Sequence, residues 1–132
     1  MQLHITKQKL LDILNLVSSA IERRHTIPIL ANAKLQISKD EMIITGSDLE
    51  VELVGKCALT QGECIKEGET TIPARKLLEI CKSLPPQASI KLTVTDGDRC
   101  IITSGKSKFT IGTRPTDDFP VLFNGELNGI EV

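Results

Sequence analysis

The spacing of apolar residues changes character along the chain, and each change predicts an element. Residues 2–6 alternate, with Leu3 and Ile5 on one face, as a short strand does. From Lys7 the period lengthens. Leu10, Leu11, Leu14, Val17 and Ile21 recur at helical spacing, Gln8, Asp12, Asn15 and Ser19 fall opposite, and Thr6 is placed to cap the helix. Pro28 interrupts the pattern between Arg23 and Leu30. Three strands are then predicted, at Ala33–Ser38, Glu41–Thr45 and Leu49–Leu59, with turns at Lys39-Asp40 and Gly46-Ser47-Asp48. The stretch from Thr60 to Gly68 is polar and irregular and reads as a connection. Beyond it the order returns: strand Thr70–Ile72, helix Pro73–Leu84, then strands Ser89–Thr95, Arg99–Thr103 and Lys108–Gly112. Pro73 suits a first helical turn, Pro85-Pro86 stops the helix, and Asp96-Gly97 and Ser104-Gly105 join the hairpins.

This recurrence is written in the residues themselves. Lys9-Leu10-Leu11-Asp12-Ile13 is answered by Lys76-Leu77-Leu78-Glu79-Ile80 sixty-seven positions later, and Ile43-Ile44-Thr45 by Ile101-Ile102-Thr103 fifty-eight positions later. The expected architecture is therefore α+β: an internally duplicated strand-helix-three-strand unit, with two amphipathic helices packed on antiparallel sheets. The first copy carries an insertion between Ile21 and Lys34 that holds Arg23-Arg24-His25, and inserted loops carry function more often than stability.

Composition narrows the function classes. At 132 residues, 40% hydrophobic and 25% charged, the chain is long enough for one domain with a true core. Three Phe, with no Trp or Tyr, argue against recognition by base stacking. The four cysteines form no CxxC pair and have only His4 and His25 as co-ligands, so neither zinc nor another cofactor is expected. The sequence opens with neither a basic region nor an apolar run, and no stretch is apolar enough to span a bilayer; a cytoplasmic protein with reduced thiols, and no membrane partner, is expected.

The net charge of −1 conceals an uneven distribution. Residues 7–24 and 73–84 carry seven basic and three acidic side chains, whereas the other 102 residues carry nine basic and fourteen acidic ones. If both helices share a side of the domain, that side is basic. Arg75, Glu79 and Lys82 share one helical face, opposite Ala74, Leu77, Leu78 and Cys81. Such a face suits phosphate contact without base readout, and it equally suits surface ion pairs between Glu79 and its neighbours.

Catalytic constellations are missing from the sequence: there is no GxSxG elbow, no GxxxxGK[ST] loop and no GxGxxG after a strand. Ser47-Asp48 with His25, and Asp117-Asp118, are read as turn and linker residues, and a non-enzymatic role is expected. Phe109 and Ile111 face the same way on the last strand. They fit a core or, on a sheet edge, an apolar contact with another chain, which leaves an interaction adaptor as the alternative to a DNA-binding role.

Five segments taken together resemble the bacterial sliding clamp family, the β subunit of DNA polymerase III: Arg24 with Thr26-Ile27-Pro28-Ile29-Leu30, Thr45-Gly46-Ser47-Asp48-Leu49-Glu50, Thr71-Ile72-Pro73-Ala74-Arg75-Lys76, Ser104-Gly105-Lys106-Ser107-Lys108-Phe109 and Asp118-Phe119-Pro120. The resemblance implies a DNA-clamp fold. Residues 1–122 would form the first of three clamp domains, and 123–132 would begin the linker to a second. It further implies a head-to-tail dimeric ring around duplex DNA that confers processivity on the replicative polymerase, with the polymerase and a clamp loader as partners of the full-length protein. Arg24 and Arg75 would face DNA, with Arg23, Lys9 and Lys82 beside them. Lys76, Lys106, Lys108, Phe109 and Ile111 would meet the partner protomer's third domain. Lysines at 106 and 108 stand where arginine is frequent in the family, keeping the charge and losing the bidentate fork. The pocket for client peptides belongs to the later domains.

Overall fold

The computed structural model describes residues 1–18, 32–47, 52–95, 98–116 and 119. The predicted order is present: β1 (Gln2–Thr6), α1 (Lys7–Ser18), β2 (Asn32–Ile37), β3 (Glu41–Ser47), β4 (Glu52–Ala58), β5 (Cys64–Lys66), β6 (Gly68–Pro73), α2 (Ala74–Ser83), β7 (Ser89–Thr95), β8 (Arg99–Ser104) and β9 (Ser107–Gly112). One strand is additional to the expected eight. β5 lies inside the stretch read as an irregular connection, and it exists because the edge of β1 offers it a partner, Leu3 standing opposite Cys64.

All pairings are antiparallel, in a five-stranded sheet ordered β5-β1-β7-β8-β9 and a four-stranded sheet ordered β4-β3-β2-β6. The two copies have exchanged their first strands. β1 pairs with β7 of the second copy, and β6 pairs with β2 of the first, so neither copy can complete a sheet alone.

The duplication also reaches further than the sequence suggested. The His4 amide donates to the Glu63 carbonyl at 2.8 Å, and sixty-seven positions later the Thr71 amide donates to the Arg114 carbonyl at 3.0 Å. After its last long strand each copy therefore crosses to the other sheet and pairs with its own first strand. The Arg114 carbonyl also accepts the Thr71 hydroxyl at 2.9 Å, and that hydroxyl accepts from Asn32 Nδ2 at 3.0 Å in a buried network.

Both helices bury one face against the sheets. α1 contributes Leu10, Ile13, Leu14 and Val17, and α2 contributes Ala74, Leu77 and Cys81, to a core shared with Leu3, Ile5, Leu35, Met42, Ile44, Ile90, Leu92 and Ile102. Leu11, placed inward by periodicity, is only half-buried, Ile13 takes the deeper position and Leu16 is 56% exposed. α1 lies directly over β4, where a Cβ added to Gly55 would come within 2.8 Å of Ile13 Cγ1. The Thr6 hydroxyl caps α1 from 3.4 Å on the Lys9 amide, as expected. Pro73 ends β6 and precedes α2 instead of entering its first turn. Gly105, at a φ of 57°, makes the β8–β9 turn with Lys106, since Ser104 pairs with Ser107. Burial pushes the thiols of Cys81 and Cys100 up to about 11 and about 12, the Lys7 charge partly opposing the shift at Cys81.

Candidate nucleic-acid interface

Lys7, counted in sequence among the basic residues of the helical side, is buried. Its Nζ donates to the Leu84 carbonyl at 2.6 Å, which brings the start of α1 against the end of α2. The contact is favourable because helix C-terminal carbonyls are partly negative and lack intrahelical donors. Nothing in the local sequence marks this lysine as internal, because its burial depends on a helix end seventy-seven residues away.

Lys9 is also committed within the domain. Its Nζ lies 2.8 Å from Glu63 Oε1, which also accepts the Thr60 amide at 2.6 Å and the Thr60 hydroxyl at 2.9 Å. Burial raises the Glu63 carboxyl pKa, but the Lys9 and Thr60 hydrogen bonds outweigh it and hold the group below its ordinary 4.5. A carboxyl whose folded pKa lies below its unfolded value stabilises above the unfolded pKa and loses that contribution as pH falls through the folded one. Glu63→Gln should therefore cost well under ~1 kcal/mol at neutral pH. Its melting temperature should converge on that of the parent as pH falls below 4.5, and a gap that persists in acid would contradict this assignment.

What remains on the outward face of α2 is free. Arg75, Lys76, Glu79 and Lys82 are all exposed, opposite Ala74, Leu77 and Cys81. Among the described residues none of the four takes part in an ion pair, so the alternative of Arg75–Glu79 or Glu79–Lys82 surface pairs is not realised. The helix presents three cations and one carboxylate. Lys82 in the last turn complements the helix dipole. Arg23, Arg24 and the remainder of the insertion lie outside the described residues.

The second group of sequence candidates gathers at a sheet edge. β9 is the last strand of its sheet, with Phe109 and Ile111 half-buried against the core and Lys106 and Lys108 exposed. The edge strand of the alternative adaptor reading is thus present.

The residues weighed in sequence as catalytic candidates are only in part among the described residues. Ser47 is fully buried, while His25, Asp48, Asp117 and Asp118 lie outside them. No described group of three His, Cys, Asp or Glu could hold a metal, and no described helix is long and apolar enough to cross a membrane. A shallow groove of about 390 Å³ at the end of β2, β3 and β6 has only Glu41 and Glu69 as titratable lining.

Comparison with known proteins matches this fold. Residues 1–123 fit the family described as DNA polymerase III beta subunit, N-terminal domain. The beta sliding clamp of Pseudomonas putida is 44% identical over 125 residues, covering 95% of this chain and 33% of that protein. That of Escherichia coli is 40% identical over 122 residues, covering 92% and 32%. Among solved structures, a sliding clamp from Pseudomonas aeruginosa bound to griselimycin superimposes with a TM-score of 0.87 at 42% identity, covering 95% of this chain and 33% of that one. A Caulobacter crescentus clamp also superimposes at 0.87, with 35% identity. The chain spans about a third of the length of these relatives. An internally duplicated α+β domain with an exposed cationic helix face, matched across nearly its whole length, belongs to the DNA polymerase III beta subunit family, as its N-terminal domain.

Proposed function

We propose that residues 1–122 form the first domain of a ring-shaped sliding clamp, and that 123–132 begin the linker to the next. The ring is a head-to-tail dimer of three-domain protomers that encircles duplex DNA in the cytoplasm. It tethers the replicative polymerase and is opened by a clamp loader, without catalytic chemistry of its own. The observation that carries this reading is the α2 face, where Arg75 and Lys82 are exposed and, among the described residues, take part in no ion pair, on a chain whose net charge is only −1. A clamp holds DNA by closure, so its inner face needs contacts weak enough to slide. Phosphate contacts from a few cations supply such binding without sequence preference.

Arg75 and Lys82 are assigned to DNA, with Arg24 and Arg23 beside them by sequence match. Lys9 contributes least, because Glu63 holds it. β9, with Lys106, Lys108, Phe109 and Ile111, is assigned to the partner protomer, together with Lys76 on α2 by sequence match.

The 132-residue chain alone should bind duplex DNA weakly, without sequence preference and with steep salt dependence. Alanine at both Arg24 and Arg75 should flatten the plot of log affinity against log salt by about two, roughly one for each phosphate left without its cation. Unchanged binding by the double variant would remove the role given to these arginines, and tight sequence-selective binding at high salt would contradict the clamp reading.

A further inference from the structure

α1 brings two cations to the helical side, and neither is free for a phosphate: Lys9 is paired with Glu63, and Lys7 is buried. What Lys7 holds is the exit of α2. Its Nζ donates to the Leu84 carbonyl at 2.6 Å, and its own amide donates to the Ala88 carbonyl at 2.9 Å. One residue at the start of α1 therefore grips both ends of the 84–88 segment, which the Ala88 amide closes on the Pro85 carbonyl at 3.0 Å.

α2 depends on this grip. Its ten residues are few for a helix to hold on its own. It also lacks the glycine that commonly turns a helix end back onto its last carbonyls, because Leu84 is extended, at φ −87° and ψ 157°, and Pro85 follows. The Leu84 amide returns to the Cys81 carbonyl at 3.2 Å, and the ammonium of Lys7 supplies a further donor from another helix. At its other end α2 grows directly out of β6, whose Ile72 and Pro73 are paired with Ala33 and Asn32. The line of the helix is thus fixed at both ends, and the two cations assigned to DNA stand at those ends. Arg75 lies in the first turn and Lys82 in the last, about 10 Å apart along the axis. The duplication shows that the grip is particular to α2: the second-copy position that answers Lys7 is Ala74, which has no side-chain donor.

We infer that Lys7 is a positioning residue for DNA contact, which meets no phosphate itself and sets Lys82 in place by holding the last turn of α2 against the start of α1. This role rests on the clamp reading above. A role confined to stability would lower the melting temperature and leave the affinity of the folded chain intact. A positioning role lowers the affinity, and does so through Lys82.

The test is the duplex affinity of the 132-residue chain over a range of salt, well below every variant's melting midpoint, for Lys7→Met, Lys82→Ala and the two combined. Lys82→Ala should flatten the plot of log affinity against log salt by about one. Lys7→Met should flatten it by a similar amount, and the combination should add little to either, because Lys7 acts through Lys82. Lys7→Arg, which keeps a charged donor, should restore the parent slope. Should Lys7→Met fail to fold, Lys7→Gln, whose shorter stem falls short of the Leu84 carbonyl, is expected to give the same loss. If Lys82→Ala flattens the slope and neither neutral variant at Lys7 does, the positioning role is wrong and the DNA reading stands. If the losses at Lys7 and Lys82 add, Lys7 acts by its own charge, which overturns the inference equally. If Lys82→Ala and Arg75→Ala both leave the slope unchanged, the DNA reading itself falls, and the role of Lys7 with it.

Discussion

A valine at position 55 should destabilise the domain by about 3 kcal/mol, read as a lower denaturation midpoint at unchanged m-value. Strand propensity alone predicts the opposite sign, because glycine is depleted in strands and β-branched residues are enriched. The packing decides against propensity here. α1 crosses β4 so closely that even a Cβ at residue 55 would stand 2.8 Å from Ile13 Cγ1 and 3.3 Å from Leu16 Cδ2. Further methyl groups must push the helix off the sheet or force Ile13 out of its rotamer. Combining Gly55→Val with Ile13→Ala should recover part of the loss, with a coupling energy of about 1 kcal/mol or more. Strict additivity would show that the cost arises elsewhere than between these two side chains.

Thr71→Val should cost about 2 kcal/mol while changing side-chain volume little. The hydroxyl joins three parts of the fold: it accepts from Asn32 Nδ2 on β2 and donates to the carbonyl of Arg114 on the segment leaving β9, while the threonine itself lies on β6. Valine leaves a buried amide donor without its acceptor. Asn32→Val combined with Thr71→Val should cost less than the two single changes added together, because no donor is then stranded. Thermal melts of the four proteins check this, and an additive double variant would mean that the network is not a unit. The backbone pairing of Thr71 with Arg114 does not depend on the hydroxyl, so the loss should appear as stability and not as loss of fold.

Much of the architecture is legible in the sequence because it is governed by local pattern. β1 and β7 have the bounds that alternation predicts, and both helices begin within a residue of the expected positions, since apolar period and proline placement are properties of short windows. The features that escape depend on distant chain. β5 is three residues long with Ile65 53% exposed, and only the vacant edge of β1 makes it a strand. The exchange of β1 and β6 between sheets leaves no mark in either strand, because inward and outward alternation is the same whichever sheet receives it.

The site divides along the same line. The exposed face of α2 can be read from helical spacing, and the structure keeps Arg75, Lys76 and Lys82 outward on it. Lys7 and Lys9 cannot, because their fates are set by Leu84 and Glu63, which only the folded chain brings near. Arg114, which pairs with Thr71 and closes the second copy, escapes notice for a related reason. It stands in a stretch that reads as an exit from the domain, and its correspondence to Glu63 becomes visible only through the hydrogen bonds that pair each with the first strand of its own copy.

The central claim is that the helical side of this domain, and not its sheets, meets duplex DNA. Mapping chemical shifts on the isotopically labelled chain, as a short duplex is added at low salt, tests it most directly. Changes are expected at the Arg75 and Lys82 amides and side chains, fading as salt rises. None are expected at Ile43, Ile101 and Thr103, which alternate with the buried Met42, Ile44 and Ile102 and so occupy the opposite sheet faces. Changes on those sheet faces with α2 undisturbed would contradict the claim.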